Sequence, residues 1–460
     1  MSWTLQQLSD WCGGTLAGNG DTEISCVVTD SRKIVKDCLF LALHGANFNG
    51  NDFAAQAVKE GAAAVLVDET VDVSAPTITV ADTRKALGLL AAGYRQTLDV
   101  QVVGVTGSVG KTTTKEMLAA LLSAKYKTAK TAENFNNDIG MPMTILSMPA
   151  DTQMAVLEMG MNHFGEMAYL ASIARPDVAV ITNIGTMHIE YLGSREGILK
   201  AKMEIMQGMQ KKGVAVFNGD EPLLWNLKDA EPHKKYYYGV ENPACDVLAE
   251  NVEQLDGGMR FVVKGLGHRF ELYIPADGMH LVYDALAAIT VALLAGVAPE
   301  KIQSAMSNFR NTGMRQRVFE ENGFTIIEDC YNAGPESMAA ALQVLGDRKQ
   351  SGKRIAVLGD MLELGARSSA EHFRIGRLAA RLADTVYAYG AYSDRVVGGA
   401  ITGGMDQKNC ADFTTHEDLV KKLAAVAQKG DVLLFKGSRA MKMENALRLF
   451  LEKTKEDDRK

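Results

Sequence analysis

The run VQVVGVTGSVGKTTTKEMLAALLSA, residues 100–124, constrains this chain more than any other stretch. Its first part is a short apolar run, the pattern of a buried strand, and its second part repeats apolar residues at helical spacing. A strand that passes straight into a helix returns by a right-handed crossover to a parallel neighbour in the same sheet. The expected fold class is therefore α/β. The turn between the two elements holds Gly107, Gly110, Lys111 and Thr112. Backbone N–H groups at the start of a helix favour an anion there. Lys111 would reach the outer phosphates of a nucleotide, and Thr112 would offer its hydroxyl to Mg²⁺. The spacing G-x-x-x-x-G-K-[ST] is not met in full, because Val105 stands where its first glycine would be. The phosphate reading rests on the strand and helix on either side.

A chain of 460 residues exceeds one ordinary core, so two or three domains are expected. The net charge of −7 argues against nucleic acid as the main partner. Six scattered cysteines show no metal-type spacing and read as reduced thiols of a cytoplasmic protein. No segment approaches the roughly 20 apolar residues of a membrane span. The N-terminus lacks a basic region leading into an apolar run.

The texture divides the chain in three. Residues 1–98 read as a small α/β unit, opening with the helical MSWTLQQLSDW and closing with the helical TRKALGLLAAGYRQ. In residues 99–311 the runs VQVVGV, MAVLEM, VAVITNI and GVAVFN alternate with helices, which predicts a parallel sheet. From Val247 to Ile274, turn-type glycines separate alternating runs, so a smaller antiparallel sheet is expected there. Residues 312–460 return to βαβ texture, with FTIIEDC, RIAVLGD, TVYAYG and DVLLFKG as strands.

In an open parallel sheet the C-terminal strand ends line one crevice. Glu158 ends MAVLEM and His188 follows VAVITNI, so both fall beside the phosphate loop and suit a metal shell with Thr112. Lys202, in EGILKAKMEIM, has Ile198, Leu199, Ile205 and Met206 at helical spacing around it. A lysine on an apolar face either snorkels to water or is kept for chemistry, and the local pattern favours snorkelling. If buried, its amine would lose its proton more readily and could capture CO₂ as a carbamate. Glu196, Lys200 and Glu204 read as a solvated stripe beside it. The loop TAENFNNDIG gathers Asn134, Asn136, Asn137 and Asp138, either as phosphate or substrate contacts or as turn caps. Asp329, Tyr331 and Asn332, and then Lys436, Ser438 and Arg439, sit at strand ends of the third unit; their basic members suggest an anionic substrate.

Taken together, TGSVGKT, NFNNDIG, LEMGMNHFGE, AKMEI, DCYNAGPESM, GDMLELG and KGSRAMKME resemble the Mur ligase family of bacterial cell-wall synthesis over essentially the whole chain. That family writes its phosphate loop T-G-T/S-x-G-K-T/S, which accounts for Val105. The resemblance implies three domains: a small UDP-sugar-binding domain, a central ATPase domain and a C-terminal Rossmann-like domain. TDSRK, LFLALHG and GDMLELG imply the member that joins D-alanyl-D-alanine to UDP-N-acetylmuramoyl-tripeptide, with ATP and Mg²⁺ and as a monomer. By motif, the stretch Thr106, Gly107, Ser108, Val109, Gly110, Lys111, Thr112 and Thr113 holds ATP, together with Asn137, His280, Asp284, Arg315 and Asp329. Thr112, Glu158, His188 and a carbamylated Lys202 surround the metal, and Lys111, Lys202 and His188 are the catalytic set. Asp30, Ser31 and Arg32 face the nucleotide sugar, with Asn332, Lys436 and Arg439 as further substrate contacts. The family often reads G-x-H-N-x-x-N where this chain has GMHLVYD, so Leu281 and Asp284 replace two asparagines. Gly334 stands where asparagine or serine is common. A sibling ligase with another acceptor, a folylpolyglutamate synthase and a non-catalytic nucleotide-dependent scaffold are the alternative readings.

Overall fold

Val102, Val103 and Val105 are buried because the strand that bears them, Gln101–Thr106, runs inside a sheet with helices on both faces. Its neighbours are the parallel strands Val178–Ile181 and Met154–Glu158. This computed structural model describes residues 2–230, 232–311, 313–348 and 352–457. Among them the sheet has nine strands. Seven are parallel, from Thr128–Lys130 at one edge to Val247–Leu255. Gly258–Gly265 and His268–Ile274 then add on antiparallel. The expected antiparallel strands are therefore present, as a continuation of the parallel sheet through the Tyr238↔Val247 pairing.

Two smaller sheets flank it, and the short strands Trp3–Thr4 and Glu23–Ile24 form an antiparallel pair of their own. In the first unit the order is Thr15–Ala17, Thr77–Thr79, Ala64–Val67, Cys38–Leu41, Cys26–Val28, parallel except for the first pair. The opening helix is shorter than the quoted run: Thr4 caps Leu5–Cys12, and Gly13 ends it in the left-handed region at φ 66°. In the third unit Arg317–Glu321 pairs antiparallel with Phe324–Asp329. Val432–Lys436, Arg354–Gly359, Thr385–Tyr389 and Cys410–Phe413 then follow in parallel. Thr312, where the third unit is expected to begin, lies outside the described residues. All six cysteines are free.

The cores are not divided where the sheets are. One apolar cluster runs from Trp3, Leu39 and Leu66 through the helix Thr83–Thr97 to Met141, Leu157 and Met167 of the central unit. Gly88 allows this approach, since a Cβ there would meet the Tyr169 hydroxyl at 2.1 Å. The apolar clusters of the third unit, by contrast, hold no residue before Met314.

Within the third unit the helices Ser368–Leu382 and Ser393–Thr402 touch through their backbones. A Cβ on Gly376 would lie 2.0 Å from the Val396 carbonyl oxygen, whereas one on Gly398 would meet only the Phe373 ring edge at 3.9 Å. We expect Gly376→Ala to lose on the order of 1–3 kcal/mol, as for overpacking against rigid neighbours. Gly398→Ala should be neutral or gain some tenths of a kcal/mol from helix propensity. Calorimetric transitions of the two variants should separate accordingly.

Candidate active site

The turn after Gln101–Thr106 is fixed by geometry that only glycine allows. Gly107 has φ 151° and Gly110 φ 84°, and a Cβ at either would collide, with Thr182 Oγ1 at 1.8 Å or with Asp284 Oδ1 at 2.2 Å. The loop is braced from the next strand end. The Asn183 side-chain carbonyl accepts from Ser108 and Val109 N–H at 3.1 and 3.0 Å, and Thr182 Oγ1 donates to the Val109 carbonyl at 2.6 Å. Lys111 opens the helix Lys111–Ser123 and folds back, its Nζ donating to the Gly107 carbonyl at 2.8 Å. Burial lowers its ammonium pKa, Glu158 opposing and Arg315 adding to the shift.

Beside the loop, Glu158 is 1% exposed at the end of its strand. Its two carboxylate oxygens accept from Thr112 Oγ1 and Asn136 Nδ2, both at 2.8 Å, and Lys115 Nζ lies 3.7 Å away. Lys115 is fully buried and also donates to the Glu133 carbonyl at 3.0 Å, tying the asparagine-rich loop to the same place. Oxygen donors of this kind, with His188 lining the same cleft, suit a hard divalent cation.

These groups open onto a cleft of about 510 Å³. Ser108, Val109, Gly110, Lys111, Thr112, Thr113, Asn137, Glu158, His188, His280 and Asp284 line it from the central unit. Arg315, Asp329, Asn332 and Lys436 line it from beyond residue 312. Arg315 stacks on the Tyr331 ring at 3.9 Å, and Lys436 Nζ holds Asp329 at 2.5 Å. Gln316, in the left-handed region at φ 47°, joins the two sides. Its Oε1 accepts from His280 Nε2 at 2.6 Å, and its backbone N–H donates to Asp329 at 3.2 Å. His280 therefore carries its proton on Nε2, and burial lowers its pKa. Thr186 Oγ1 donates to Glu336 across the same junction at 2.9 Å.

Family profiles match three stretches of the chain: Mur ligase middle domain over residues 105–292, Mur ligase glutamate ligase domain over 314–439, and Mur ligase catalytic domain over 23–95. The UDP-N-acetylmuramoyl-tripeptide–D-alanyl-D-alanine ligase of Bacillus subtilis (strain 168) is 41% identical over 98% of both chains. The chain belongs to the Mur ligase family. A crystal structure of MurF from Acinetobacter baumannii superposes with a TM-score of 0.91 at 35% identity, over 98% of this chain and 99% of the other. That of the Thermotoga maritima MurF ligase in complex with ADP gives 0.84 at 30% identity, over 94% and 98%.

Not every residue matched to the Mur ligase pattern lines the cleft. Thr106 and Gly107 lie beneath the loop rather than on its surface. Asp30, Ser31 and Arg32 form a partly exposed turn of the first unit, where Arg32 grips Asp30 with two side-chain hydrogen bonds of 2.9 Å, and these chiefly hold that carboxyl down at about 2. Arg439 is half exposed and pairs with Glu444 at 2.8 Å. Asn137 both lines the cleft and caps the helix Gly140–Leu146, accepting from the Gly140 N–H at 2.8 Å.

Lys202 overturns the local reading of a snorkelling side chain. It is 2% exposed, and neither a hydrogen bond nor an ion pair reaches its Nζ from the described residues. Burial pushes its pKa well down and the charge of Lys111 adds to this, so the two lie near each other, although Lys202 is not among the residues that line the cleft. Glu204 is no solvated stripe either, since its carboxylate takes the Gly165 and Ala168 N–H groups and caps the helix Glu166–Ala174. Lys115, Asn183, Gln316 and Glu336 are not marked as site residues by the sequence, and Asn136 is marked only as one of the loop amides, open between ligand contact and turn cap. Lys115 had a signal, its place one helical turn after Lys111.

Asp284 generates a test of its own. Burial against Gly110 pushes its carboxyl up from 3.8 to about 8, opposed by the hydrogen bond it accepts from Thr114 Oγ1 at 3.2 Å and by the charge of Arg315. Between those two values the folded chain holds a proton that the unfolded chain has lost, so stability falls as pH rises. Asp284→Asn removes the linkage. The variant should match wild type near pH 4, gain on it by a few kcal/mol as pH approaches 8, and hold that margin above. Denaturation midpoints at pH 5, 7 and 9 measure the gap.

Proposed function

We propose that this chain joins D-alanyl-D-alanine to UDP-N-acetylmuramoyl-tripeptide at the expense of ATP, releasing ADP and phosphate, in the cytoplasm and as a monomer. The observation that carries the reading is a single cleft in which the phosphate loop and the Thr112–Glu158–Asn136 cradle of the central unit face Arg315 and Lys436 of the third. The likeness to ligases of that specificity along nearly the full length of both chains supports it. We read residues 1–98 as the domain for the nucleotide sugar, 99–311 as the ATP domain, and 312–460 as the domain that brings the amine and closes the cleft. In the described residues no helix is long and apolar enough to cross a membrane.

The reaction must bring two anions together, a peptide carboxylate and the γ-phosphate. Lys111, freed from its loop carbonyls, supplies positive charge between them, and the N–H groups of residues 108–112 cradle the phosphates. The carboxylate oxygen displaces ADP at phosphorus and leaves an acyl phosphate. The deprotonated amine of the dipeptide then adds to the carbonyl carbon, and phosphate departs as the amide forms. Water would hydrolyse the acyl phosphate, so Arg315, Tyr331 and Lys436 on the facing wall also serve to exclude it. Thr112, Glu158 and His188 would hold Mg²⁺, which when bound offsets the charge spread over the phosphates. Lys202 fits a carbamate, because a buried amine with a lowered pKa is the nucleophile CO₂ needs and no partner among the described residues competes for it. Asp284 stands where the family often has asparagine. Its pKa of about 8 keeps it protonated at neutral pH, so it presents one donor where an amide would present two.

Mass spectrometry of the product formed from UDP-muramoyl tripeptide, ATP, Mg²⁺ and a panel of amino acids and dipeptides tests the assignment. Preference for another acceptor would move the chain to a sibling activity, and ATP hydrolysis without any amide would end the ligase reading. Lys202→Ala should lower kcat on the order of 100-fold or more, as loss of a group at the reacting charge does. Added formate or acetate should restore part of the rate in that variant and none in wild type.

A further inference from the structure

The motif GDMLELG, residues 359–365, has no part in the reaction as set out above and does not line the cleft, yet from the third unit it reaches His188, which does. Its first residues are pinned. Asp360 is buried and accepts from the Ala391 and Tyr392 N–H groups at 2.7 and 3.2 Å. The Met361 N–H donates to His372 Nε2 at 2.9 Å, and His372 Nδ1 in turn donates to the Ser368 carbonyl at 2.7 Å. The Leu362 N–H donates to Ser438 Oγ at 2.9 Å. The chain then turns outward at Glu363, whose φ of 62° is left-handed, and Gly365 follows, seated against Glu190 of the central unit.

Glu363 Oε2 lies 2.6 Å from His188 Nδ1. His188 is itself left-handed, at φ 63°. Two residues without glycine's freedom thus face each other across the junction in a conformation that costs free energy, the kind of strain kept at functional positions. The two atoms are close but off the hydrogen-bonding direction, so Nδ1 is buried without a hydrogen bond. The Glu363 side chain is 41% exposed and free to turn into line.

We infer that Glu363 is a positioning residue, brought by the third unit, that fixes the His188 imidazole through Nδ1. The inference rests on the reading of His188 as a metal ligand. A carboxylate can only accept, so Nδ1 carries the proton and the lone pair of Nε2 is left for a cation. Because the two residues belong to different units, the imidazole is held in orientation only while the third unit is docked. The cation site is then completed by the closure that also shields the acyl phosphate, and GDMLELG gains a chemical purpose.

The test uses the full-length protein with ADP and Mn²⁺ as the probe. Titration gives Mn²⁺ affinity, and pulsed EPR reports the ¹⁴N coupling of an imidazole bound to the ion. Glu363→Gln should weaken Mn²⁺ binding by ~10–100-fold, as loss of a partner to a ligating histidine does, and should diminish the coupling. Glu363→Asp should recover part of both. His188→Ala should abolish the coupling, and adding Glu363→Gln to it should cost nothing further. If Glu363→Gln keeps wild-type affinity and coupling while His188→Ala loses them, Glu363 does not act through His188. Losses that multiply in the double variant overturn the inference in the same way. If His188→Ala keeps the coupling, the metal assignment of His188 fails and the inference goes with it.

Discussion

Parallel strands all end at the same edge of their sheet, and this one constraint places the chemistry. Thr106, Glu158 and Ile181 are the last residues of three adjacent strands, in register across the sheet. Whatever follows each strand must emerge within one residue of the same line. The phosphate loop, the buried carboxylate and the segment leading to His188 are neighbours for that reason, though they lie some tens of residues apart along the chain. The third unit obeys the same rule, since Asp329 and Lys436 end paired parallel strands and meet as an ion pair. Two sheet edges face each other, and the cleft is the space between them.

This is also why so much was legible from sequence. A strand end is visible as the point where an apolar run stops, so Glu158, His188, Asp329 and Lys436 could be marked before any coordinate was seen. The first helix could be recognised from its apolar face and closing glycine, and the antiparallel strands from their alternation. What resisted was anything decided by a partner from far along the chain. Asn136 acquires its meaning from Glu158, Gln316 from His280 and Asp277, and Glu363 from His188, and no local period records those meetings. Lys202 shows the limit in one residue. Its helical spacing gave the face correctly but not the depth of cover over that face, and depth separates a snorkelling lysine from a sealed one. Glu204 failed for the same reason, because the helix it caps begins thirty-eight residues earlier, at Glu166.

The exchange of asparagine for Asp284 is explained by its surroundings. An ionised carboxylate beside a phosphate-binding loop would repel the ligand that the loop exists to hold. Packing against Gly110 withholds water from it, and the neutral acid that results retains a donor. Leu281 is different: it is 1% exposed and packs in the apolar cluster under the antiparallel strands, so at that position an amide has given way to core.

The apolar cluster that runs unbroken from Trp3 to Met167 has a mechanical corollary. Sliding the first sheet relative to the phosphate loop would mean prising apart buried Leu, Met and Trp side chains, whereas the third sheet meets its neighbours mainly through ion pairs and hydrogen bonds. Of the two junctions around the nine-stranded sheet, then, one is packed with apolar side chains and the other carries the polar contacts. Whatever rests on the N-terminal sheet is held at a set distance from the phosphate loop, as on a fixed anvil.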